Sequence, residues 1–201
     1  VLSKVKISGG GRCNVTHNLF DPKSLIASYP RGGKELLGPF HTFNPENTIK
    51  WFENRGIKLK AEKDGRMFPT SDKSSSIIDC LMNELKKHGV ELELGRKIKD
   101  IKKNDQSFTL SFMSHPDLET DKLVLATGSS PSGHKFCEHL GHTIVKPVPS
   151  LFTFNVKNEL LSDMMGQSFE KVGLELSFGK NLGFKKYKQE GPLLILSLIH
   201  I

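Results

Sequence analysis

The chain has 201 residues, of which 36% are hydrophobic and 25% charged, and its formal net charge is +7 at pH 7. This composition is typical of a globular protein, and no apolar run approaches the roughly 20 residues of a membrane-spanning helix, so no membrane association is predicted. The lysines are dispersed among segments such as "KIKDIKK", "NELKKHG" and "GFKKYKQ". We therefore expect a solvated basic surface and no nucleic-acid partner.

The cysteines and histidines predict no metal site. Three widely separated cysteines give neither a disulfide framework nor a zinc motif, and with no visible signal peptide they indicate the cytoplasm. His134, His139 and His142 are close in sequence, but Gly141 breaks the helix between the last two. We predict that these three are surface histidines.

The first notable motif is "ISGGGRCNVTHN", residues 7–18. Its three consecutive glycines are poor helix or strand residues, but they allow positive φ angles and a close approach of main chain to a ligand. Arg12 adds a fixed charge, and Asn14 adds a hydrogen-bond donor and acceptor. The motif predicts a place where main chain contacts a ligand; the alternative is a glycine-rich surface turn.

Helices are predicted after two Asx-Pro pairs and after a serine run. "DPKSLIASY" and "NPENTIKWFENRG" each begin with a capping residue and a first-turn proline, and the second ends at Gly56. "SSSIIDCLMNELKKHG" predicts the clearest helix, which stops at Gly89. The predicted buried faces are Ile49, Phe52 and Trp51 in the second helix, and Ile78, Leu81, Met82 and Leu85 in the third.

Strands are predicted before and after the helix of "SSSIIDCLMNELKKHG". "IKLKAEKDGRMFP" alternates around Asp64 and Gly65, which is a hairpin signal. "VELEL", "KIKDI" and "SFTLSFM" predict short strands, and "LVLATGSS" predicts a buried strand that runs into a glycine turn. A short helix follows in "GHKFCEHLGH", and "PVPSLFTFNV", "FEKVGLELSF" and "FKKYKQEGPLLIL" predict further strands.

The order of these elements predicts an α/β fold with a parallel sheet and a β-meander crossover. Ligands of such sheets bind at the carboxyl ends of the strands. The turn after "LVL", formed by Ala126, Thr127 and Gly128, is small enough for its N–H groups to approach a phosphate. No P-loop, paired-carboxylate site or Ser-His-Asp arrangement that would support a kinase or hydrolase is evident.

The motifs "KVKISGGGRCNVTHN", "DGRMFPTSDKSSSIIDCL", "LVLATGSS" and "EGPLLI" occur in an order that resembles one family. It is the FAD-dependent oxidoreductases of the BaiN and aminoacetone oxidase type. The resemblance implies a partial FAD-binding, two-dinucleotide-binding, Rossmann-like domain over residues 1–149. Residues 150–201 would begin an inserted, mainly β domain.

The resemblance also implies that the chain is a fragment. The family's opening G-x-G-x-x-G unit and its C-terminal return to the FAD domain have no counterpart here. The last residues, 196–201, depart from the family's pattern and are expected to be non-native. We expect the fragment to be inactive alone.

In the family the glycine loop lies along FAD, between the pyrophosphate and the isoalloxazine ring. Arg12 would offset phosphate charge or stabilise negative charge on the reduced flavin, and Asn14 would bond the flavin edge. Ile98 matches a position that meets adenine, with a plain strand residue as the alternative. The cofactor-binding residues implied in this way are Ser8, Gly9, Gly10, Gly11, Arg12, Cys13, Asn14, Ile98, Ala126, Thr127 and Gly128.

Two residues of the "GRMFP" segment are substrate-side and catalytic candidates. Arg66 would hold a carboxylate or polarise a carbonyl, with Phe68 as a wall; a merely solvated Arg66 in a hairpin turn is the alternative. Cys13 lies beside an arginine, which favours a reactive thiol, but without a resolving cysteine we favour a small packed residue.

The resemblance implies an FAD-dependent oxidoreductase that transfers hydride between flavin and a small organic substrate: an amine, a ketone or a conjugated alkene. NAD(P)H or oxygen would be the redox partner of the flavin. Two alternatives stay open. One is a flavoprotein that acts on tRNA, and the other is a non-catalytic flavin-binding module.

Overall fold

The structure is a computed structural model that describes residues 1–148, 161, 163–177 and 186–195. The chain divides into two compact units, Val1–Leu140 and Gly141–Ile201. The domain boundary predicted at residues 149 and 150 falls outside the described residues and stays a prediction. In the described ranges, no helix combines the length and apolar character that crossing a membrane requires.

The first unit contains six α-helices and six short strands. The helices are α1 (Ser3–Ile7), α2 (Pro22–Ile26), α3 (Gly33–Thr42), α4 (Pro45–Glu53), α5 (Ser74–Lys87) and α6 (Pro131–His139). The strands are β1 (Thr16–His17), β2 (Leu59–Ala61), β3 (Arg66–Pro69), β4 (Ile98–Lys103), β5 (Phe108–Phe112) and β6 (Leu118–Thr120).

The first sheet has the order β1-β3-β2, with both pairs antiparallel. The hairpin predicted around Asp64 and Gly65 is confirmed, since β2 and β3 pair on either side of it and Gly65 has a φ of 86°. The central strand, β3, is buried along Met67, Phe68 and Pro69. This strand is therefore the buried element against which the preceding segments pack.

The predicted starts of α2 and α4 are confirmed. Asp21 accepts a hydrogen bond from the Ser24 N–H at 2.7 Å, and Asn44 forms a reciprocal capping box with Asn47. Each cap satisfies N–H groups that the first helical turn leaves without partners. From the predicted face of α4, Phe52 is buried in the core.

The buried face of α5 differs from the prediction. Ile77 and Cys80 lie in the core, whereas Ile78, Leu81, Met82 and Leu85 are half-buried. Six of the 14 residues of α5 are apolar and they form a broad stripe, so their spacing alone does not choose which part of it is buried. Packing against α1 makes the choice, where the hydroxyl of buried Ser74 donates to the Lys6 carbonyl at 2.9 Å.

An ion pair joins the end of α4 to α5. Arg55 Nε lies 2.7 Å from Glu84 Oε2, and the guanidinium also covers the Trp51 ring at 3.7 Å. The contact with Arg55 is the main cause that lowers the pKa of Glu84. Because the folded-state pKa lies below the unfolded one, this contact stabilises the fold above about pH 4.3 and is lost as the pH falls through the folded-state value.

We expect Glu84→Gln to remove part of the loss of stability that the protein shows on acidification below about pH 4.3. The measurement is the urea midpoint as a function of pH. The control is Glu53→Gln, an exposed glutamate at the end of α4. Equal pH profiles for the two variants would contradict a role for the Arg55–Glu84 pair.

The second sheet is an antiparallel meander, β4-β5-β6. It confirms the strands predicted from "KIKDI" and "SFTLSFM". The strands predicted from "VELEL" and "LVLATGSS" are wrong: residues 90–94 and 122–127 pair with no strand among the described residues, and Val124 is 87% exposed. Every strand pair in the described ranges is antiparallel, so the predicted parallel sheet is not formed there.

The second unit contains an antiparallel pair of strands, β7 (Ser168–Ser177) and β8 (Lys186–Leu194). Both strands match predicted ones. Cross-strand ion pairs from Lys186 and Lys188 to Glu175 support their register. Residues 149–156 of the predicted "PVPSLFTFNV" strand and residues 196–201 lie outside the described residues.

Candidate functional site

The glycine motif forms a tight turn directly after α1. Gly9, Gly10 and Gly11 have φ angles of 56°, 68° and 84°, and Cys13 follows at 65°. The turn is closed by a hydrogen bond from the Cys13 N–H to the Ser8 carbonyl at 3.0 Å. The predicted positive φ angles are confirmed, and an L side chain in this region is strained by roughly 1–2 kcal/mol per residue.

The glycines of this turn face two different environments. A Cβ built on Gly9 would lie 2.7 Å from Phe68 Cε1 and 2.8 Å from the backbone nitrogen of Asn14, so Gly9 packs inward against the first sheet. A Cβ built on Gly10 would meet no heavy atom within 4 Å, and one on Gly11 would only reach the Lys6 carbonyl at 4.0 Å. The outer main chain at Gly10 and Gly11 is therefore open to a flat ligand.

Arg12 lies across the first sheet. Its Nη1 is 2.5 Å from Glu62 Oε1 and 3.6 Å from Asp72 Oδ1, and its guanidinium covers the Phe68 ring at 4.1 Å. The hydrogen bond to Glu62 is the main cause that raises the pKa of Arg12. Lys60 also pairs with Asp72, and this hydrogen bond is the main cause that lowers the pKa of Asp72.

The side chains of Cys13 and Asn14 both contact the protein, but Cys13 is buried whereas Asn14 is exposed. Cys13 is buried in a core cluster with Phe52, Ile77 and Cys80, which agrees with the preferred prediction of a small packed residue. The end of the Asn14 amide faces the carbonyls of Thr16 and Met67, and its nitrogen donates to them at 2.9 and 3.3 Å when it occupies that position.

The two substrate-side candidates lie on β3, beside the glycine turn. Arg66 Nε pairs with Asp64 Oδ2 at 2.7 Å, and Arg66 Nη2 lies 3.4 Å from Glu62 Oε2. The backbone N–H of Arg66 is the main cause that lowers the pKa of Asp64. Phe68 is 0% exposed under Arg12, so its ring belongs to the core and forms no open wall.

The remaining predicted residues form a second group, around β4 and α6. Ile98 is half-buried and pairs with Phe112, whereas Ala126, Thr127 and Gly128 are exposed. Thr127 packs closely on Gly133 of α6, a position where a Cβ would clash with it. Among the described residues, no hydrogen bond or ion pair links this group to the glycine turn.

The acidic partners of Arg12 are functional-site residues that were not predicted from the sequence. Glu62 and Arg66 flank the hairpin turn, so the "EKDGR" pattern contains a signal for their pairing. Asp72 is brought in by the turn after β3, and the sequence carries no comparable signal for it. With Lys60, these residues make a network of three cations and three carboxylates: Arg12, Lys60, Arg66, Glu62, Asp64 and Asp72.

The sequence profile of the HI0933-like protein Rossmann domain matches residues 1–183. The chain belongs to this family. The α/β, Rossmann-like fold class and the resemblance to the BaiN and aminoacetone oxidase type are thereby confirmed. The HI0933-like family is FAD-binding, and its members include flavin-dependent oxidoreductases.

Three curated relatives are similar to the chain. The ribosomal RNA dihydrouridine synthase of Escherichia coli K12 is 28% identical over 80% of this chain and 41% of its own length. The 3-dehydro-bile acid delta(4,6)-reductase of Clostridium scindens is 25% identical over 81% and 41%. The ribosomal RNA dihydrouridine synthase of Haemophilus influenzae is 25% identical over 96% and 51%. The chain thus spans between two fifths and about half of the length of these relatives.

Proposed function

We propose that the protein is an FAD-dependent oxidoreductase in which the glycine turn holds the cofactor. The observation that supports this most directly is the outer face of Gly10 and Gly11, where positive φ angles leave the main chain without a neighbouring side chain. FAD has a flat ring and a pyrophosphate, both of which bind well against bare main chain. Bound FAD would supply the hydride-transfer chemistry.

The residues that would hold FAD come from both groups of the first unit. Gly10 and Gly11 would present main chain to the cofactor, and the exposed turn of Ala126, Thr127 and Gly128 would contribute N–H groups. Ile98, at the start of β4, would contact the adenine. The side chain of Cys13 fits this role less well because it is buried. Asn14 is exposed, but the end of its amide already faces two main-chain carbonyls.

The names of the relatives favour one reaction from the predicted set. Uridine loses a carbon–carbon double bond next to a carbonyl when it becomes dihydrouridine, and a 3-dehydro-delta(4,6) steroid has double bonds conjugated with a ketone. We propose a net addition of a hydride and a proton across such a conjugated bond. NADH or NADPH would provide the reducing equivalents. Oxidation of an amine and reduction of a ketone are the alternatives within this class.

RNA is a second candidate substrate. Two of the three relatives described above are ribosomal RNA dihydrouridine synthases, and the chain carries a net charge of +7. This differs from our expectation of no nucleic-acid partner. An RNA substrate would show binding that weakens steeply with salt, because lysines and arginines release counterions from phosphates.

The first experiment is to purify the whole polypeptide that the gene encodes and record its visible spectrum. We expect a flavin spectrum that NADH or NADPH bleaches without oxygen, and that a conjugated enone or a uridine-containing RNA restores. A colourless protein that takes up no added FAD would contradict the proposal. Restoration by RNA alone, with salt-sensitive binding, would select the second candidate.

We expect Gly10→Ala to weaken FAD binding at least about fivefold, because its methyl group would lie where the cofactor approaches the main chain. Gly89→Ala is the matched control: Gly89 has a φ of 65° and equally open surroundings, but it lies at the end of α5. Both variants should lose a similar 1–2 kcal/mol or so of stability. Equal FAD affinities would place the cofactor elsewhere.

A further inference from the structure

We infer that Arg12 is a positioning residue, which fastens the glycine turn to the β2–β3 hairpin through Glu62 and does not act as the counter-ion of a cofactor phosphate. This inference rests on the proposed function, since the turn it positions is the proposed FAD contact. It assigns Glu62 a role in cofactor binding although Glu62 would touch no part of the cofactor.

The contacts of Arg12 show how the fastening works. The residue follows Gly11 directly, and its side chain stacks on Phe68, the fully buried centre of β3, at 4.1 Å. Its Nη1 reaches Glu62 at 2.5 Å and Asp72 at 3.6 Å. A planar guanidinium held by a ring below and two carboxylates at its edge has a fixed orientation, which a lysine could not reproduce.

The charges around Arg12 argue against a phosphate on the same group. The network of six residues defined above has equal numbers of cations and carboxylates, so it offers no net positive charge. A phosphate brought to Arg12 would approach Glu62 and Asp72 as well, and like charges at such distances repel. Main chain at Gly10 and Gly11 binds anions without this penalty.

The two roles of Arg12 predict opposite effects of Glu62→Gln. If Arg12 positions the turn, the loss of Glu62's charge loosens Arg12 and the turn, so FAD binds less tightly. If Arg12 is the phosphate counter-ion, the same change removes a competing carboxylate, so FAD binds more tightly. Arg66 keeps Asp64 at 2.7 Å in either case, which confines the main change to Arg12.

The experiment compares Arg12→Gln, Glu62→Gln and the double variant in the whole polypeptide, with Glu53→Gln as the control at an exposed glutamate on α4. The first measurement is the FAD dissociation constant. We expect both single variants to weaken binding by about two- to fivefold, and the double variant to be no worse than Arg12→Gln.

The second measurement is amide hydrogen exchange of residues 9–14 without FAD. We expect faster exchange in both single variants and no change in Glu53→Gln. Tighter FAD binding by Glu62→Gln, or unchanged exchange in that variant, would overturn the inference. A wild-type protein that binds no FAD would instead refute the proposed function, while the exchange rates would still decide whether Glu62 fixes the turn.

Discussion

Replacing Phe68 with alanine is expected to lower the free energy of unfolding by about 3–5 kcal/mol. The side chain is 0% exposed in the central strand of the first sheet, so its removal leaves a cavity that the strand cannot close. The ring also supports two groups of the candidate site. Gly9 packs on its edge and the Arg12 guanidinium on its face, so both lose their support together.

Urea denaturation of Phe68→Ala and of Phe43→Ala tests this expectation. Phe43 is 53% exposed at the end of α3, so its loss should change stability by less than about 1 kcal/mol. Similar losses for the two variants would contradict the burial of Phe68. A Phe68→Ala protein with unchanged stability but altered turnover would restore the predicted role of this ring as a substrate wall.

The local parts of the fold could be predicted because their signals lie within a few residues. Asn44 and Pro45 start α4 since the cap and the first turn are neighbours in sequence. Asp64 and Gly65 likewise fix the β2–β3 hairpin, because the turn needs a residue at positive φ. In both cases no distant contact is needed to choose the structure.

The strand predictions that were wrong concern segments whose structure depends on contacts with residues distant in sequence. "VELEL" and "LVLATG" have the residues of strands, but a strand forms only where a neighbour satisfies its main chain, and none does so in the described residues. The helix α3 was not predicted, because its sequence has residues that disfavour a helix although a helix forms. Its sequence contains Gly38 and Pro39, which usually interrupt helices, yet both lie within Gly33–Thr42.

The candidate site divides in the same way. The positive φ angles of the glycine turn were predictable, because three consecutive glycines have few other uses. The partners of Arg12 were not, because Glu62 and Asp72 lie 50 and 60 residues further along the chain. The sequence motif shows that an arginine is present and charged, but only the fold shows which carboxylates form ion pairs with it.

Gly9→Ala is expected to lower the free energy of unfolding by about 2–5 kcal/mol, well beyond the effect of the same change at Gly10. Both positions have positive φ, 56° and 68°, so the strain of an L residue is common to them. Only at Gly9 would the added methyl group lie 2.7 Å from Phe68 and 2.8 Å from the backbone nitrogen of Asn14. The difference between the variants isolates that steric overlap.

Urea midpoints of the two variants give this difference directly. Because Asn14 contributes main chain to the overlap, the strain at Gly9 cannot be relieved by a side-chain rotation alone. The double variant Gly9→Ala/Phe68→Leu should be less destabilised than the sum of its two single variants, since the smaller side chain removes one of the two close contacts. Equal stabilities of Gly9→Ala and Gly10→Ala would mean that the turn does not rest on Phe68. The stack of Gly9, Phe68 and Arg12 would then not support the proposed cofactor contact.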